Sequence, residues 1–153
     1  MKFWITILIM MTAVTTAFSE DRYVTAAFEI SPPEPGNASG VYQQSTFSLP
    51  TADGFQANVG VQLQEYDGTM EGYEKISLDE FKEAHIQVIH SEVKGGIFTI
   101  EYNGKMSGYD LHWYARAFKK GKTVYLITGV SLATRWKTDG PSLIKSVNSF
   151  KLK

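Results

Sequence analysis

The sequence contains no cysteine. That excludes disulfides, zinc sites built on thiolates, and cysteine nucleophiles. It also excludes a lipoprotein anchor, which needs a cysteine at the cleavage site. Histidine is scarce, with only His85, His90 and His112. There is no Gly-x-Ser-x-Gly elbow, no Walker loop and no paired-glycine dinucleotide fingerprint. Composition alone leaves a Ser/His/Asp triad open. There is one long apolar run, Phe3–Val14, and no second that could span a bilayer.

That run follows Met1-Lys2 and precedes small residues. As a helix, about 12 residues reach roughly 18 Å, short of the roughly 30 Å hydrocarbon core. A positive start, a short apolar run and small residues after it predict a secretory signal peptide. Ala17-Phe18-Ser19 fits the small-x-small cleavage rule, so residues 1–19 are the expected leader and Glu20 the expected mature start. Cleavage after Ala17 is the near alternative, and an uncleaved anchor or a buried N-terminal helix the competing reading. The chain has 153 residues, and residues 20–153 suffice for one domain with a core.

The clearest pattern is Tyr109–Leu132, with Lys119-Lys120-Gly121-Lys122 in its middle. A two-residue turn at Lys120-Gly121 predicts a hairpin. It pairs Leu111 with Val130, Trp113 with Thr128, Ala115 with Leu126 and Ala117 with Val124. These share one nearly apolar face, because side chains alternate along a strand. Asp110, His112, Tyr114, Arg116 and Phe118 share the other, aromatic and polar face. A sheet buried on one side and part-covered on the other fits this pattern.

Elsewhere, Tyr23–Ile30, Tyr42–Leu49 and Ala57–Tyr66 read as strands. Ser31–Gly40, with three prolines, reads as a loop. It contains the glycosylation sequon Asn37-Ala38-Ser39, which matters only in a eukaryote. Thr69 is placed to cap a helix over Met70–His85, weak at Gly72 and open to a restart at Ser77. Ile86–Val93 and Ile97–Gly104 read as strands. Asn103-Gly104 and Ser107-Gly108 compete for the next turn. Ala133–Trp136 and Pro141–Phe150 read as a last helix, open to interruption at Asp139-Gly140-Pro141, with Leu143, Ile144 and Val147 toward the sheet. The predicted class is α+β: an antiparallel sheet of about six to seven strands with two main helices.

At several points the chain resembles the PsbP-like superfamily. The residues are Phe47–Pro50, Gly54–Val61, Gly68–Tyr73, Ile100–Gly104, Val124–Thr128 and Ser146–Phe150. Order and spacing carry the resemblance, and it spans nearly all of residues 20–153. The superfamily includes the photosystem II extrinsic protein, periplasmic DcrB-like proteins and a nuclear Ran-binding protein. The resemblance implies an antiparallel sheet between helices, and no single activity. DcrB-like members are often lipoproteins, and this chain departs from them in lacking the cysteine. No photosystem-binding pattern stands at its N-terminus.

The candidate binding residues are Asp110, His112, Tyr114 and Arg116 on the polar face, and Lys119, Lys120 and Lys122 at the turn. Neighbours two apart on a strand stand about 7 Å apart, so they line a patch rather than bond directly. His85 and His90 are five apart, not the spacing of a helical metal pair. Glu65 and Asp67 could contribute to a cation site at a strand end. No cofactor, metal or nucleic acid is implied. The leading functional reading is an exported, non-enzymatic domain, periplasmic or secreted, that binds a protein or envelope component. The alternative is a secreted hydrolase-like enzyme using the Asp110/His112 face.

Charge is unevenly divided. Residues 20–104 hold 4 basic and 14 acidic side chains, and residues 105–153 hold 10 basic and 2 acidic. Such asymmetry points to an interaction surface unless folding mixes the halves. Lys119, Lys120 and Lys122 must cluster at one turn, which suggests a basic tip for an anionic partner.

Overall fold

The computed structural model describes residues 23–24, 27–31, 33, 37–41 and 44–153. The predicted leader, residues 1–19, lies outside them. The elements in order are β1 (Tyr23–Val24), β2 (Phe28–Ile30), β3 (Asn37–Val41), β4 (Gln44–Ser48) and β5 (Asn58–Glu65), then helix α1 (Met70–Glu83). There follow β6 (Gln87–Lys94), β7 (Ile97–Met106), β8 (Tyr109–Lys120), β9 (Thr123–Leu132), a 3-10 turn at Ala133–Arg135, α2 (Trp136–Asn148) and β10 (Lys151–Leu152). The main sheet has seven strands in the order β3-β4-β5-β9-β8-β7-β6, and a small sheet runs β1-β2-β10. All pairings are antiparallel. The α+β class expected from the pattern is the observed one.

The two helices lie on opposite faces of the main sheet. On one face, Leu111, Trp113, Ala115 and Ala117 of β8 are buried beside Phe98, Ile100 and Tyr102 of β7. α1 covers them: Tyr73 packs on Phe98 with ring centroids 5.9 Å apart, and Phe81 on Tyr102 at 4.6 Å. On the other face, α2 buries Leu143 and Val147 against β9, while Ile144 is half-buried.

The central hairpin differs from its expected register by two residues. Lys120 pairs with Thr123, so the turn is Gly121-Lys122. Leu111 faces Leu132, Trp113 faces Val130, Ala115 faces Thr128 and Ala117 faces Leu126. Gly121 has φ +60° and occupies the first central position, the place a type II′ turn reserves for glycine. A shift of two preserves every side chain's face, since the alternation has period two.

Two other turns follow the same logic. Gly95-Gly96 and Ser107-Gly108 have positive φ at both central residues, the type I′ pattern. Ser107-Gly108 thus wins over Asn103-Gly104, which lies inside β7. There, a Cβ on Gly104 would stand 3.3 Å from Ile86 and 3.5 Å from Trp113. That glycine serves packing rather than turning.

Sequence periodicity missed β3 and β10. β3 (Asn37–Val41) begins inside the stretch Ser31–Gly40 that reads as a loop, and it pairs with β4 along its length. β10 has only two residues, too few to show alternation. Tyr23–Ile30, read as one strand, forms two elements, β1 and β2, which pair with each other.

α1 is one helix. Thr69 Oγ1 accepts from the Gly72 backbone N–H at 3.1 Å, an ordinary N-cap. Gly72 weakens the helix but makes room for Tyr66, whose hydroxyl would stand 2.6 Å from an added Cβ. Ser77 does not restart the helix; its hydroxyl donates to the Tyr73 carbonyl at 2.9 Å. α2 runs unbroken through Pro141, at the cost of one helical hydrogen bond. The interruption that the sequence left open at Asp139-Gly140-Pro141 does not occur. Gly140 is buried, and an added Cβ would meet the Trp136 ring at 3.0 Å.

Candidate functional site

The even-numbered residues of β8 point toward the α2 side, and there the structure divides the expected patch into separate contacts. Asp110 pairs with Lys105, its cross-strand partner, at 3.7 Å. Both side chains are largely exposed, so this pair adds little. His112 is far more enclosed, with 12% of its side chain exposed. Its Nε2 lies 2.7 Å from Glu101 Oε1, and its ring stacks on Trp136 with centroids 4.0 Å apart. Tyr114 donates its hydroxyl to Asn148 Oδ1 at 3.0 Å, and Arg116 donates to the same oxygen at 3.4 Å. The Arg116 guanidinium also sits 5.1 Å over the Phe118 ring.

Glu101 was not singled out from the sequence. The signal for it was the alternation of β7, where it stands between buried Ile100 and Tyr102. Only the register of β7 on β8 brings it within reach of His112.

The arrangement does not build a catalytic triad. Ser131 lies opposite His112 in the sheet and is fully buried. Its hydroxyl donates to Asp139 Oδ2 at 2.6 Å. Asp139 is in turn gripped by Arg135, through Nε and Nη2 at 3.2 Å each. That contact raises the Arg135 pKa, chiefly through the hydrogen bond to Asp139. Arg135 also reaches Asp53 at 3.4 Å. The serine proton is thus committed to a carboxylate that an arginine already neutralises, while the histidine serves a different carboxylate. A nucleophile needs a base within hydrogen-bond reach.

At the hairpin tip, Lys119 Nζ donates to the Gly121 carbonyl at 2.7 Å. Lys120 Nζ donates to the Lys153 carbonyl. Lys122 pairs with Asp67 at 2.8 Å. Asp67 is therefore engaged by a cation of this chain, and Glu65 lies opposite Thr123. Among the described residues, no group of three or more His, Asp or Glu side chains is placed to hold a metal. His90 lies on β6, 3.7 Å from Glu92. His85 caps α1.

Beneath α1 is a cavity of about 40 Å³, lined by Tyr73, Phe81, Phe98, Tyr102, Leu126 and others. It is mostly apolar and has room for a water molecule or two. Burial raises the hydroxyl pKa of both Tyr73 and Tyr102, so both stay neutral.

No protein-family model and no curated protein matches the chain. Solved structures do match. Cyanobacterial PsbP (CyanoP) from Synechocystis is 15% identical, with TM-score 0.62 over 93% of this chain and 98% of that one. The fold is PsbP-like. LpqN of Mycobacterium tuberculosis, involved in cell envelope biogenesis, is 9% identical, with TM-score 0.61 over 82% of this chain and 83% of its own. A Pseudomonas aeruginosa protein of unknown function is 12% identical, with TM-score 0.57 over 69% and 89%. In this PsbP-like chain no described helix is long and apolar enough to cross a membrane.

Proposed function

We propose that the chain is an exported, non-enzymatic domain that binds a protein or another component of the cell envelope. The observation that carries this reading is the state of the polar face beneath α2. Its groups bond one another rather than converge on an open cleft: His112 with Glu101 and Trp136, Tyr114 and Arg116 with Asn148, Ser131 with Asp139. Acid–base catalysis requires a group free to reach a substrate proton. The leader-like N-terminus supports export. The PsbP-like fold suits a binding role, since the same fold serves LpqN, a protein of envelope biogenesis.

The test is a pull-down from the native envelope fraction, using the chain from Glu20 onward. All described elements begin at or after Tyr23, so this form carries the whole described fold. The expected result is specific retention of an envelope component, unaffected by His112→Gln. Hydrolysis of an ester or peptide substrate that His112→Gln abolishes would overturn the reading in favour of an enzyme.

A further inference from the structure

The cavity beneath α1 holds a polar group with nothing to bond. Tyr102 lines it and is 3% exposed. Its ring is fixed between Trp113, stacked at 5.0 Å, and Phe81 at 4.6 Å. Its hydroxyl makes no hydrogen bond among the described residues. Two neighbouring hydroxyls are satisfied: Tyr73 donates to Gln64 Oε1 at 2.6 Å, and Ser77 to the Tyr73 carbonyl at 2.9 Å. A buried donor without an acceptor is costly. Here the missing acceptor belongs in the cavity itself.

Register supplies the mouth. Ala115, Thr128, Gly60 and Thr46 stand opposite one another on β8, β9, β5 and β4, all on the α1 face. The first two line the cavity. The next two carry its floor outward, and at Gly60 the space is open, since an added Cβ would meet nothing within 4 Å. The flanking residues on the same face are Gln62 and Gln64 on one side, Asn58 and Ser48 on the other. Inside the cavity are Phe98, Ile100 and Leu126, and no charged side chain lines it. An apolar hollow with a few convergent polar groups is the usual form of a small-ligand site.

We infer that this cavity takes the acetamido group of an N-acetylated sugar in an envelope glycan. The inference rests on the reading of the chain as a domain that binds an envelope component. Size sets the first limit. The cavity is about 40 Å³, and a water's share of liquid volume is about 30 Å³, so it admits the end of a ligand and not a whole one. Chemistry sets the second. An acetyl methyl meets Phe98, Ile100 and Leu126, and its carbonyl oxygen accepts from Tyr102. The uncharged lining rejects a carboxylate or an ammonium group, which would be buried without a counter-charge. The sugar ring stays outside, over Gly60, where amides and hydroxyls both donate to and accept from neutral hydroxyls. A plain alkyl end would leave Tyr102 unpaired. An acetylated lysine offers the same acetamide, but its alkyl stem would lie over the amides of the mouth.

The experiment is titration calorimetry of the chain from Glu20 with a β-1,4-linked N-acetylglucosamine trimer, the same trimer without its acetyl groups, and a peptide bearing acetyl-lysine. Only the acetylated trimer is expected to bind. Tyr102→Phe should weaken that binding on the order of tenfold without lowering the melting temperature, because the hydroxyl it removes has no partner in the free protein. Gly60→Val should abolish binding by filling the mouth, and valine suits a strand. Lys137→Gln, exposed on α2, should leave binding unchanged. Should Gly60→Val fail to fold by circular dichroism, Tyr102→Phe, which keeps the ring and its stacking, tests the same cavity. Equal binding of the deacetylated trimer, no binding of the acetylated one, tighter binding of the acetyl-lysine peptide, or a Tyr102→Phe variant that binds like the native chain would overturn the inference. If the envelope pull-down succeeds while the trimer fails to bind, only the glycan assignment falls. If both fail, the binding-domain reading falls with it.

Discussion

Gly129 lies so close beneath Leu143 that a Cβ added to it would stand 3.1 Å from the Leu143 Cβ. Val147 Cγ2 would be 3.4 Å away. This contact sets how closely α2 approaches β9, and it explains a glycine inside a central strand, where it otherwise weakens pairing. Gly129→Val should therefore lift α2 off the sheet. The expected loss is about 1–3 kcal/mol, as for other overpacked cores, read from chemical denaturation. A variant as stable as the parent would mean that α2 does not pack where described.

Leu126 is 8% exposed on the face beneath α1 and pairs with Ala117. Leu126→Ala should cost roughly 2–5 kcal/mol, as buried leucine truncations do. A loss below about 0.5 kcal/mol, the range of surface changes, would place Leu126 on the wrong face of the strand.

His85 follows the C-terminus of α1 with φ +56°. Its N–H bonds the Lys82 carbonyl at 3.2 Å, and the Ile86 N–H bonds the Phe81 carbonyl at 2.9 Å. This is a Schellman motif with histidine where glycine is commonest. His85→Gly should relieve left-handed strain and raise stability by about 0.5–1 kcal/mol, visible as a higher melting temperature. A drop would show that the histidine side chain contributes more than its backbone costs.

The Glu80 pKa is raised above 4.5, first by partial burial and then by the nearby Glu83 carboxylate. The folded state thus disfavours the charged form. The penalty is absent below the unfolded pKa, where the group is protonated in both states, and grows as pH rises through the folded value. Glu80→Gln should stabilise the protein near pH 7 and lose that advantage near pH 4. The gain should stay under about 0.5 kcal/mol, because the group is mostly solvated. Parallel thermal melts across this range would test it, and a gain that persists at low pH would contradict the sign.

Export predicts cleavage near Ser19. Intact-mass measurement on the exported protein should show a chain starting at Glu20, or at Phe18 if cleavage follows Ala17. A mass that retains Met1–Val14 would refute it.

Local patterns in the sequence were enough to specify which side chains share a face. Trp113, Ala115 and Ala117 alternate with His112, Tyr114 and Arg116 whatever their partners, because alternation is a property of one strand. The Thr69 cap, the single helix after it and the glycine turns were legible for the same reason. Register was not. Gly121 can enter a two-residue turn at either central position, and the choice moved every pair by two. The sequence also could not show that Glu101 meets His112, or that Trp136 covers it. Those contacts join residues far apart in the chain, and only the stacking of strands and the docking of α2 bring them together. The same holds for charge. Composition by halves was visible in the chain, but only the folded sheet shows where the halves meet, as Lys122 with Asp67 and Arg135 with Asp53.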